Sequence, residues 1–162
     1  MKKFAPYILI AFVFIACNSD TKNTETEEEI VETETYQQPK EIADIPWAAV
    51  LDSTSQIITM TATEGINAKD LNLDNVTESI NRKYPEILIS NILQKSDTVF
   101  VKINDATYLT QGSGSMGAEI FLAESTYSFT QIPGINFVNF DFKIGDHASP
   151  GTFKRTDFEF KK

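Results

Sequence analysis

A long apolar stretch that runs into a hard stop constrains this chain most. Residues 115–131 contain only two charges, Glu119 and Glu124, and Pro133-Gly134 follows directly. Met116, Ile120, Ala123 and Tyr127 share one helical stripe, and Ala118, Leu122 and Phe129 share the next. A helix of that length measures about 25 Å at 1.5 Å per residue. An apolar face so wide has to be buried, against a sheet and with room for a second contact surface. Met and aromatic stripes of this kind are core before they are ligand boxes.

The sequence on both sides supplies a sheet. Residues 47–51 and 56–62 flank the turn cluster Asp52-Ser53-Thr54-Ser55, which predicts a hairpin. Trp47 is expected to pack at its edge or in the core. Leu73, Val76, Ile80 and Tyr84 fall on one helical stripe. Asn72 or Asp74 is placed to cap that helix, and Pro85 ends it. Residues 87–94 and 98–104 then face each other across Lys95-Ser96-Asp97 as a second hairpin. After the long helix, residues 135–142 alternate, with Val138, Phe140 and Phe142 on one side. The expectation is an α+β domain over residues 46–162, with a small antiparallel or mixed sheet packed on two helices. Its 117 residues bury roughly two thirds of their surface on folding.

The first 45 residues read differently. Lys2 and Lys3 precede a 13-residue apolar run, residues 4–16. That run is short of the roughly 20 residues a spanning helix needs and suits a signal-peptide core. It ends at Phe14-Ile15-Ala16-Cys17, which resembles a bacterial lipobox with Phe14 where leucine is usual. Cys17 is the one cysteine of the chain, so no intramolecular disulfide forms. The expectation is a signal peptide over residues 1–16 and fatty acylation (palmitate) at Cys17. Residues 17–45 then form a disordered acidic tether. Residues 20–45 hold nine acids and two lysines, too charged and too poor in apolar residues to offset ordering entropy. An acidic partner-binding or calcium-buffering tail is the alternative use of that charge, although no EF-hand pattern is present.

The chain carries a net charge of −9, and residues 46–162 account for −4 of it. No basic face is evident, so nucleic acid is excluded as an expected partner. A zinc site is excluded too, because there is a single histidine beside the single cysteine. Residues 112–117 match G-x-G-x-x-G. The match does not sit in a tight strand-to-helix turn, and no further βα units follow it, so a dinucleotide site is not expected. A P-loop lysine and a nucleophile elbow are also missing. The glycines read instead as a loop that lets the helix start close to the sheet, with Ser115 as its cap. Exposed N–H groups there remain able to hold an anion or a partner's carboxylate.

Two loops therefore carry the candidate binding residues: Gly112, Ser113, Gly114 and Ser115 in the first, and Asp146 and His147 in the second, with Arg155 beyond it. Structurally, Arg155 is expected to pair with Asp146 or Asp157. The same residues hold the minimum inventory for a hydrolase: Ser113 or Ser115, His147, and Asp146 or Asp157.

The order of strand, strand, glycine loop, apolar helix and strand resembles the GerM-type sporulation and spore germination domain (GerMN). The resemblance centres on residues 112–142, above all STYSFTQIPGINFVNFDF, where that family has a helix, Pro-Gly and a Val-centred strand. The helix at residues 73–84 and the hairpin at residues 87–104 fit its preceding part, so about residues 65–145 are covered. Residues 145–158 look like an extension to it. The resemblance implies a small α+β envelope module, often in a lipoprotein, with roles in binding or assembly. It brings no catalytic residues and no cofactor. The expected protein is thus a lipid-anchored, non-enzymatic lipoprotein of the bacterial envelope, outer membrane in preference to inner. Its partner would be another envelope protein, cell-wall material or a second copy.

Overall fold

The computed structural model describes residues 41–54, 57–158 and 160. The expected signal peptide, Cys17 and most of the expected tether lie outside the described residues. Among the described residues no helix is long and apolar enough to cross a membrane.

The long helix, α2 (Gly114–Phe129), is the element around which the others pack. It has no polar face. Ala118, Phe121, Leu122, Ala123, Ser125, Thr126, Ser128 and Phe129 are all buried. Two sheets share the task of burying it. The first is an antiparallel ribbon of β1 (Trp47–Leu51) and β2 (Ile58–Ala62), paired from Trp47–Ala62 to Leu51–Ile58. The second is a four-stranded mixed sheet in the order β3 (Ile89–Lys95), β4 (Thr98–Ile103), β5 (Phe137–Asp141), β6 (Gly151–Phe153). The β4–β5 pair is parallel and the outer two pairs are antiparallel. A parallel pair needs a crossover between its strands, and α2 is that crossover. The architecture is α+β, as the residue pattern implies.

Alternation decides which sheet face meets the helices. Val99, Val101, Ile103, Val138 and Phe140 point inward and are buried. Phe121 of α2 meets Phe140 at 6.4 Å between ring centroids. A bulge between Ser90 and Leu93 bends β3 along its edge.

The first helix, α1 (Leu73–Lys83), starts at a reciprocal cap. Asn75 N–H donates to Asn72 Oδ1 at 2.9 Å, and Asn72 N–H donates to Asn75 Oδ1 at 3.0 Å. Asparagine here does what glutamate does in the usual box. Val76 and Ile80 are fully buried. Asn81 then ties α1 to β3, accepting from Ile89 N–H at 2.7 Å and donating to Ile89 O at 3.1 Å.

Two sequence expectations need correction. Residues 41–45, read as tether, belong to the folded unit: Ile42 and Ile45 are 7% and 5% exposed. Arg82 donates to Ile42 O, and Thr63 Oγ1 donates to Ile45 O. Two apolar residues at the end of a charged run suffice to dock it, because burial is decided residue by residue. Residues 145–158, the expected extension, contribute β6 and the buried Phe158 to the folded unit. Gly112, read as the start of a loop, instead ends a π-helical turn (Tyr108–Gly112) that leads into α2, with the break at Gly114, φ +69°.

Candidate functional site

The corner where the π-helical turn, the first turn of α2 and the histidine loop meet unites several of the expected binding residues. The loop is fastened by its backbone. His147 N–H donates to Thr110 O at 3.0 Å, and Gly145 N–H donates to Ala148 O at 3.2 Å. Gly145 lies so close that a Cβ added there would stand 2.5 Å from Thr110 Cβ. Thr110 itself is buried and donates from Oγ1 to Ala106 O at 2.8 Å. The π-helical turn thereby presents a carbonyl sideways to a neighbouring segment, as such turns do at functional sites.

This fastening brings Ser115 Oγ to 3.2 Å from His147 Nδ1. Ser115 is exposed and His147 half-buried. Ser115 is therefore not the helix cap expected from the sequence. The cap position is Ser113, whose backbone is already helical, so its side chain is turned away from the orphan N–H groups. Ser113 Oγ instead donates to Leu109 O at 2.9 Å, which removes it from contact with His147. Among the described residues no carboxylate hydrogen-bonds to the second ring nitrogen of His147. Asp146 is exposed on the same loop. Three large apolar side chains stand exposed on the segments that form the corner: Tyr108 (46%), Met116 (55%) and Ile144 (64%).

Arg155 and Asp157 are elsewhere. Arg155 sits at the C-terminal end of α2, some 12 residues or about 18 Å along the helix from Ser115. It donates to Thr130 Oγ1 (2.7 Å), Tyr127 O (2.9 Å) and Gln131 Oε1 (3.0 Å). Its guanidinium lies 4.8 Å from the Trp47 ring and 5.0 Å from the Tyr127 ring. Desolvation in this seat holds its pKa below the ordinary arginine value, with the Tyr127 hydroxyl opposing. The expected pairing with Asp146 or Asp157 does not form. Asp157 Oδ2 accepts from Lys154 N–H at 2.9 Å, closing its own short turn. The aromatic pair offers the cation a better-shaped surface than an exposed carboxylate does.

One residue of consequence was not singled out by the sequence. Glu124, in the middle of α2, is 1% exposed. Its carboxylate accepts from three donors on two segments: Ala49 N–H of β1 at 2.7 Å, and Lys83 Nζ at 2.8 Å and Tyr84 Oη at 2.5 Å at the end of α1. Lys83 also reaches the second oxygen at 2.6 Å. Burial, the hydrogen bond to Glu124 and its charge together push the Tyr84 hydroxyl well above the usual phenol pKa. The signal was present: an acid on the buried side of an apolar helix is not tolerated unless partners meet it. The sequence could not say which ones.

Among the described residues no group of three or more His, Cys, Asp or Glu side chains is placed to hold a metal. The chain matches no family model, no curated protein and no solved structure.

Proposed function

We propose that this chain is a bacterial envelope lipoprotein, anchored by lipid on Cys17, whose GerMN-like α+β domain is a non-catalytic binding or assembly module. The observation that carries the reading is the corner at Ser115 and His147. Its loop is held by the backbone hydrogen bond from His147 N–H to Thr110 O, which places the imidazole without using either ring nitrogen. Exposed Tyr108, Met116 and Ile144 give the neighbourhood large apolar side chains beside polar ones. That combination is what partner surfaces use: apolar area for affinity, a few placed polar atoms for orientation.

The test is crosslinking in intact cells followed by mass spectrometry, with native chain, Ser115→Ala and His147→Ala. A reproducible envelope protein or glycan partner, lost in both variants while thermal unfolding is unchanged, is the expected result. A partner retained equally by both variants removes this corner from the interface. Cys17→Ala is expected to abolish processing and membrane attachment.

A second reading is a hydrolase with Ser115 as nucleophile and His147 as base, favoured by their 3.2 Å approach. It lacks an orienting carboxylate: Asp157 is committed to Lys154 and Asp146 makes no bond to the ring. Covalent labelling by a fluorophosphonate, abolished in Ser115→Ala, is the result that would favour it over the binding module.

A further inference from the structure

Among the described residues nothing covers the outer face of the four-stranded sheet, although it contains a parallel pair. Parallel strands are ordinarily covered on both faces, because their crossover helices provide the cover. Here Phe121 of α2 packs on Phe140 on the buried side, α1 packs against β3, and the other side carries Leu93, Phe100, Lys102, Asn139 and Asp141. Leu93 is 51% exposed and Phe100 37%, and they are direct cross-strand partners. With Pro150 they wall a shallow groove of about 570 Å³.

This face carries charges of both signs. Lys102 and Asp141 are register partners on adjacent strands. Neither makes an ion pair or hydrogen bond through its side chain among the described residues. Lys95 adds a second cation at the rim, its Nζ 5.7 Å from the centre of the Phe100 ring. The chain as a whole carries a net charge of −9. Two copies repel each other over most approaches, and least where the acidic excess is absent.

We infer that this face docks a second copy of the same chain, in a two-fold arrangement that sets Lys102 of each copy against Asp141 of the other. A two-fold interface presents the same patch from both sides, so it needs a patch that complements itself. One lysine beside one aspartate, flanked by Leu93 and Phe100, meets that requirement. The inference rests on reading the chain as a binding module but uses a different surface from the Ser115–His147 corner. Loss of one interaction therefore leaves the other testable.

The experiment uses full-length chain with two different affinity tags, co-expressed in one membrane and solubilised in mild detergent. Native copies are expected to co-purify. K102D paired with K102D, and D141K paired with D141K, are each expected to lose roughly tenfold or more of the recovered complex, since like charges then face each other twice. K102D paired with D141K should restore it, because every contact is again opposite in sign. The doubly exchanged chain K102D/D141K should bind itself and refuse the native chain. That last comparison separates lost docking from lost folding. Absence of native co-purification, insensitivity to the single reversals, or failure of the mixed pair to recover would each overturn the inference.

Discussion

Glu124 is the residue on which most of the domain's polar order depends. A carboxylate with 1% exposure is tolerated because Ala49, Lys83 and Tyr84 all donate to it. Breaking a buried ion pair by deleting one partner typically costs about 3–5 kcal/mol. Here Lys83 is 37% exposed and can turn to water, so the loss should lie lower. Glu124→Ala is expected to lower unfolding free energy by about 2–3 kcal/mol in urea titration, mostly from the stranded Ala49 N–H and Tyr84 hydroxyl. Tyr84 gives the pH counterpart. Its proton is held more tightly in the folded state than at the ordinary value of 10.0. Its contribution to stability is therefore complete below pH 10 and is lost as pH rises through and above that value. In native chain, unfolding free energy should fall from pH 10 upward. In Tyr84→Phe the starting stability should be lower and the alkaline fall shallower, both read from urea midpoints across pH 8–12.

The elements were legible to different degrees, and the reason is physical. Both hairpins and α1 show in the sequence because local signals agree: alternation, an asparagine cap, and Pro85 as the stop. The π-helical turn does not, because Gly112-Ser113-Gly114 is locally a loop composition. The chain stays helical there because the turn is packed: Leu109 and Thr110 are buried, and Thr110 anchors the histidine loop. Gly145 is the tight point of that contact. Gly145→Ala is expected to displace the loop, since the new methyl would meet both the Thr110 side chain and, at 3.3 Å, its backbone oxygen. A loss of about 1–3 kcal/mol is the usual cost of such overpacking. Hydrogen exchange at His147 N–H should accelerate, while exchange in β1 and β2 stays unchanged.

At the scale of the whole molecule, the folded unit is wider than its composition suggests. A chain that begins at residue 46, where the charged segment ends by sequence, lacks Ile42 and Ile45. A chain that begins at residue 41 keeps them. Burying an isoleucine contributes about 1.5–3 kcal/mol, so the shorter chain should melt measurably lower, by roughly 3 kcal/mol or more at equal buffer and pH. The sequence alone determined the α+β class, the order of most elements, the buried long helix and the candidate residues Ser115 and His147. All of these follow from periodicity and turn chemistry, which act within a few residues. Tertiary structure alone decided that Ser115 faces His147 while Ser113 does not. It also decided that Arg155 belongs to Trp47 and Tyr127, and that Glu124 joins α2 to α1 and β1. Those pairings link residues 28 to 108 positions apart, and no local pattern encodes them. They are set by which surfaces the apolar core brings together, after which each polar group takes the partner within reach.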